Sequence, residues 1–196
     1  MGKRLVIGMS GASGAPLTVE LLRQLREYYP EVETHLIVTR GAELTLAQET
    51  EVSLERLRSL AGVCHSNSSI GAAPASGSFK TMGMIVVPCS MKTVAGIVSG
   101  YSDNLLLRAA DVTMKERRKL VLVAREAPLS TLHLRNLYEA SQLGAVILPP
   151  MLAYYNHPAS VEDCTRYTVN RILSQFDLDR DSCQWEGMDE TLSMDP

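Results

Sequence analysis

The chemistry-bearing residues begin within the first sixteen positions, where the run Lys3-Arg4-Leu5-Val6-Ile7-Gly8-Met9 leads into Ser10-Gly11-Ala12-Ser13-Gly14-Ala15-Pro16. A short apolar strand, a loop of Gly, Ser and Ala, then an amphipathic stretch at 17–28 place unpaired backbone N–H groups at a helix N-terminus. Such a terminus binds phosphate. The loop is not the dinucleotide fingerprint, because G-x-G-x-x-G in register with Gly11 and Gly14 requires glycine where Met9 stands. It is not a P-loop either, since no Gly-Lys-Ser/Thr follows. The second strand, 34–38, ends in Thr39-Arg40 rather than in an acid. A hydroxyl there suits a phosphate or ribityl oxygen better than a ribose diol, while Arg40 leaves an NADP phosphate open.

Other polar groups follow the remaining strand-like runs. After Val87 comes Pro88-Cys89-Ser90-Met91-Lys92-Thr93, a second hydroxylated turn opening a helix. After Ala124 comes Arg125-Glu126-Ala127-Pro128, and after Leu148 come Pro149-Pro150 and Tyr154-Tyr155. Glu126 either holds Arg125 toward an anion, acts as an acid–base group, or forms a structural ion pair with it. Lys115-Glu116-Arg117-Arg118-Lys119 looks like a nucleic-acid patch, but it contains an acid and lies between a helix and a strand. Arg117 and Arg118 therefore read as a solvated helix end.

These residues need elements to position them. Runs at 5–9, 34–38, 84–87, 120–124 and 145–148 are short and rich in Val, Ile and Leu, as buried parallel strands are. Helical patterns occupy 17–28, 41–48, 54–60, 91–99, 104–115, 132–143 and 161–176. The alternation predicts an α/β domain with right-handed crossovers, its ligands beyond the carboxyl ends of the strands. Four polar turns then converge on one rim and form one crevice. Residues 62–79 read as a surface loop. One domain is expected over 1–176, with an acidic tail over 177–196 that is peripheral or packed on a neighbouring subunit.

Bulk composition narrows the classes. The chain has 196 residues, 45% hydrophobic, and a formal net charge of -3, which gives no general attraction to nucleic acid or anionic membrane. No apolar run approaches the roughly 20 residues that span a bilayer, and the N-terminal run is too short for a signal peptide. Cys64, Cys89, Cys164 and Cys183 show no C-x-x-C spacing and read as reduced thiols of a cytoplasmic protein. The four histidines are well separated and form no metal-ligand cluster.

Taken together, Gly11-Ala12-Ser13-Gly14, Glu49-Thr50-Glu51, Pro74-Ala75-Ser76-Gly77-Ser78, Ser90-Met91-Lys92-Thr93, the run 104–111, Lys115-Glu116-Arg117-Arg118, Arg125-Glu126-Ala127-Pro128 and Gly144-Ala145-Val146-Ile147-Leu148-Pro149 resemble the UbiX/Pad-type flavin prenyltransferases over nearly the whole chain. The resemblance implies a Rossmann/flavodoxin-like three-layer fold with a parallel sheet, assembled as a homododecamer. It implies transfer of a dimethylallyl group from dimethylallyl monophosphate to reduced FMN without a metal. Bonds would form at the central-ring nitrogen and the adjacent benzenoid carbon, and the prenylated FMN would pass to a UbiD-type decarboxylase.

By the same resemblance, Gly11, Ala12, Ser13, Thr39, Ser90, Met91, Lys92, Thr93 and Arg125 would bind FMN. Thr39 stands where many members have Ser, and Lys92 where others have Gly. Arg108, Lys115, Tyr155 and Arg171 would bind the prenyl phosphate. Ser13 and Glu49 would handle protons near the flavin, with Lys115 and Glu126 at the leaving phosphate, and Trp185 lies where an aromatic closes the site. The cation set suits a departing phosphate, and reduced FMN is itself the nucleophile. Two other readings are an FMN-dependent cysteine decarboxylase, whose Pro-x-Met-Asn segment is missing here, and a non-catalytic FMN carrier subunit of a decarboxylase.

Overall fold

The computed structural model describes residues 3–179. Trp185, Cys183 and most of the acidic tail lie outside the described residues. Six parallel strands form one sheet: β1 Lys3–Met9, β2 Val32–Val38, β3 Val63–Ser66, β4 Gly83–Cys89, β5 Lys119–Ala124 and β6 Val146–Ile147. Their order is β3-β2-β1-β4-β5-β6. The helices are α1 Ala15–Tyr28, α2 Arg40–Glu49, α3 Leu54–Leu60, α4 Met91–Val98, α5 Leu105–Lys115, α6 Thr131–Gln142 and α7 Val161–Leu173. This doubly wound, three-layer α/β arrangement is the expected class. The chain reverses direction across the sheet between β1 and β4, which is where such folds bind ligands.

Period-two alternation assigns each strand residue to a layer. Leu5, Ile7, Met9, Ile85, Val87, Val121 and Val123 pack with α1, α2, α3 and α7. Val6, Met84, Val86, Leu120, Leu122 and Ala124 pack with α4, α5 and α6. All seven residues of β4 are buried, as a central strand covered on both faces requires. Leu178 also lies in the first core.

The segment 62–79 departs from the surface-loop expectation. It contains the edge strand β3, paired in parallel with β2 from His35↔Val63 to Val38↔Ser66, and a 3-10 turn at Ala73–Ala75. Val-Cys-His-Ser has no apolar run because an edge strand is largely exposed. The segment is then bound to the domain by Asn67. Its backbone O accepts from Leu105 N at 2.8 Å, and its Oδ1 accepts from Leu106 N at 3.0 Å. Arg118 donates to the carbonyls of Gly77 at 2.6 Å and Phe79 at 2.7 Å, so it is a clamp rather than a solvated helix end. Arg117 is exposed as expected.

Candidate functional site: a crevice at the sheet switch point

The loops after β1 and β4 are joined by one buried hydroxyl. Ser10, 1% exposed, donates from N and from Oγ to the carbonyl of Pro88, both at 3.1 Å. Its Oγ accepts from Ser90 N at 2.8 Å. Ser90 in turn caps α4, accepting from Thr93 N at 3.3 Å with its Oγ 3.1 Å from Thr93 Oγ1. Thr39 caps α2 by accepting from Ala42 N at 3.2 Å. Gly11 passes so close to Gly41 that a β-carbon on it would stand 3.0 Å from that backbone. Each small or hydroxylated residue thus brings a helix N-terminus to the rim.

A crevice of about 880 Å³ opens over these turns, and Ser10, Gly11, Thr39, Ser90, Lys92 and Thr93 all face it. Met91, expected among the cofactor-binding residues, does not line the crevice: its side chain is buried in the second core. The Ala12 amide is spent on the Ser10 carbonyl at 2.9 Å.

The N-terminus of α1 is occupied by the protein itself. Glu49 Oε2 accepts from both Gly14 N and Ala15 N at 2.8 Å. These are the amides that the opening loop offered to a phosphate, so the helix termini left open on the crevice are those of α2 and α4. Glu49 Oε1 has no hydrogen bond among the described residues, and Glu49 lines a second cavity of about 470 Å³. That cavity is shared with Ser13, Arg125, Leu152, Val161 and Cys164. The site residues therefore divide into two sets on either side of the Gly11–Gly14 loop.

Arg125 and Glu126 are exposed, and no ion pair joins them. Glu126 Oε1 instead accepts from Ala127 N at 3.1 Å. Cys89 is buried, and burial pushes its thiol far above the usual range, so it is no nucleophile. Among the described residues no group of three or more His, Cys, Asp and Glu is placed to hold a metal ion. No helix among them is long and apolar enough to cross a membrane.

The four phosphate-binding candidates are not brought together within one subunit. Arg108 and Lys115 lie on α5, paired with Asp111 and Glu116. Arg171 lies on α7, and the Tyr155 hydroxyl pairs with that of Tyr167 on the same helix. Because α5 and α7 pack on opposite faces of the sheet, the sheet stands between the two halves. Ser10, Asn67 and Asn136 face the crevice without having been singled out as site residues. Ser10 stands in the opening loop, whereas Asn67 and Asn136 belong to no motif, and only the fold brings those two to the crevice.

A doubly wound sheet with hydroxyl-capped helix termini at its switch point is the framework of a mononucleotide-binding protein. The chain matches the flavoprotein family over residues 1–173. It is 51% identical over 174 residues to the flavin prenyltransferase UbiX of Escherichia coli strain K12, covering 89% of this chain and 92% of that one. It is similar to the crystal structure of a dodecameric FMN-dependent UbiX-like decarboxylase from Escherichia coli O157:H7. There the TM-score is 0.91 and the identity 51%, covering 94% of this chain and 100% of the other. It is also similar to the structure of AnUbiX (PadA1) in complex with FMN and dimethylallyl pyrophosphate, with TM-score 0.90, 47% identity and coverage of 95% and 100%. The chain belongs to the UbiX family of flavin prenyltransferases.

Proposed function

We infer that this protein joins the dimethylallyl group of dimethylallyl monophosphate to reduced FMN and releases phosphate and prenylated FMN. The carrying observation is the family membership together with the crevice at the switch point. The crevice groups Gly11, Thr39, Ser90, Lys92 and Thr93 around an open helix N-terminus, the environment an FMN phosphate requires. FMN, when bound there in reduced form, supplies the nucleophile. The chain's own residues bind, orient and exclude water.

Ser13, Glu49 and Arg125 line the second cavity, where apolar Leu152 and Val161 give a wall suited to an allyl group losing its phosphate. Glu49 is held by two amides through Oε2, which leaves Oε1 to take a proton from the flavin. Arg108, Lys115, Tyr155 and Arg171 bind the departing phosphate, and Glu126 protonates it or holds the basic groups in place. Since α5 and α7 lie on opposite faces, a complete phosphate site draws Arg108 and Lys115 from one subunit and Tyr155 and Arg171 from another. This fits a homododecamer. The product serves a UbiD-type decarboxylase in the cytoplasm.

Anaerobic incubation of the full chain with reduced FMN and dimethylallyl monophosphate tests this reading. The expected result is a flavin heavier than FMN by one isoprene unit in mass spectrometry. FMN-loaded, folded protein that leaves the flavin unchanged overturns the reading, whether it proves to be a carrier or to decarboxylate a cysteine-ended peptide.

A further inference from the structure

The crevice runs on from the α4 N-terminus to α6, and there it holds a polar side chain that the fold leaves unanswered. Asn136 is only 6% exposed, yet its side chain lines the crevice. Its amide makes no hydrogen bond among the described residues, and its polar atoms are not sealed from solvent, so they open into the crevice. A primary amide carries two donors and an acceptor, all of them free there to meet a ligand.

What surrounds Asn136 identifies the ligand chemistry. The same crevice is lined by Ser90 and Thr93, which close the first turn of α4. The Met91 and Lys92 amides at that terminus have no acceptor among the described residues. Lys92 lines the same space and has no ion pair among the described residues. A helix terminus, an unpaired cation and an unpaired amide donor facing one space make a site for a phosphate.

We propose that Asn136 is a ligand-binding residue whose amide hydrogen-bonds the phosphate-bearing end of the mononucleotide held at the N-terminus of α4. Its NH₂ donates to a phosphate oxygen. This rests on the crevice being the FMN site. It assigns a function to a residue of α6, a helix that carries none of the motif residues.

Titration of flavin fluorescence with the full-length protein tests it, using FMN and riboflavin, which lacks the phosphate. Asn136→Asp sets a carboxylate against the phosphate, and Asn136→Leu removes both hydrogen-bonding ends at similar volume. For each, the FMN Kd is expected to rise about tenfold or more. The riboflavin Kd is expected to change by less than about threefold, because the lost contact is at the phosphate end. If the Asp variant does not fold, Asn136→Ser carries the same comparison. Unchanged FMN affinity, or equal weakening of FMN and riboflavin, overturns the proposal. So does a change in subunit assembly with the FMN-to-riboflavin ratio intact, which would place Asn136 against a second copy. Wild-type protein that binds neither flavin overturns the FMN reading of the crevice and this inference with it. Wild-type binding with insensitive variants overturns this inference alone.

Discussion

The carboxylate of Glu49, the last residue of α2, accepts the Ala15 amide at 2.8 Å through the same oxygen that takes the Gly14 amide. It is therefore the N-terminal cap of α1, supplied from another helix, since Gly14 has no side chain to serve. Glu49→Ala is expected to destabilise the fold by about 1–2 kcal/mol, read as a lowered denaturant midpoint with unchanged slope. Glu49→Gln keeps an oxygen on both amides but cannot accept a proton. It should retain most of the stability and lose most of the prenylated product. Equal loss of product and of stability in the Gln variant would reduce Glu49 to a cap.

Ser10 and Ser90 tie β1 to β4 at the switch point. Ser10→Ala leaves the half-buried Ser90 amide and the Pro88 carbonyl without the hydroxyl that joins them, at an expected cost of about 1 kcal/mol. FMN affinity should fall with it, because α4 loses its anchor. Thermal unfolding and FMN titration measure the two effects separately. A variant as stable as wild type would show that the bridge is not needed.

Gly11→Ala tests the close approach to Gly41. The obstacle 3.0 Å from the new β-carbon is backbone, which cannot turn aside as a side chain does. The N-terminus of α2 must move, and Thr39 with it, so the FMN Kd is expected to rise about tenfold. A crystal structure of the variant should show the Gly11–Gly41 separation increased.

The separation of α5 from α7 predicts complementation. Lys115→Ala and Arg171→Ala should each be inactive alone with FMN retained. Mixed assemblies should regain roughly a quarter of wild-type sites if each site draws on two subunits at random. Mixed assemblies no more active than their parents would return the phosphate site to a single chain.

A pH effect follows from the cluster beside β3. His35 Nδ1 lies 2.9 Å from His65 Nε2, and His35 Nε2 lies 2.6 Å from Glu33, which also accepts from Arg4 at 3.2 Å. Burial, and then the charge of His35, hold the His65 pKa below its ordinary value of 6.5. The unfolded chain therefore binds a proton at His65 more readily than the folded chain does. The His65 contribution to stability is complete above 6.5 and is lost as pH falls from there through the lower folded value. His65→Gln should flatten that part of a pH–stability profile, measured by chemical denaturation. A profile unchanged by the substitution would remove His65 as its source.

Much of the fold was legible in the sequence because its signals are local. Buried parallel strands must be continuous in Val, Ile and Leu, and 5–9, 84–87 and 120–124 are. Ser90 and Asn104 announce helix starts because a side-chain oxygen there accepts from its own helix. Even the ligand class was visible, since Met9 and Thr39 break the dinucleotide pattern while leaving a hydroxylated rim. β3 was not legible: an exposed edge strand needs only a partner, and its pairing with β2 joins residues far apart in the chain.

The sequence by itself determined the layers, the rim and the residue types on it, because caps, strand periodicity and apolar runs act over a few residues. Only the tertiary structure decided which helix termini stay open. Glu49 fills that of α1 from 34 and 35 residues away, and no local pattern encodes such a contact. It also decided that Lys115 and Arg171 lie on opposite faces of one sheet, and that Asn136, unremarkable in a surface helix, turns its amide into the crevice. Contacts of that kind depend on how distant elements pack, and a linear pattern does not carry that geometry.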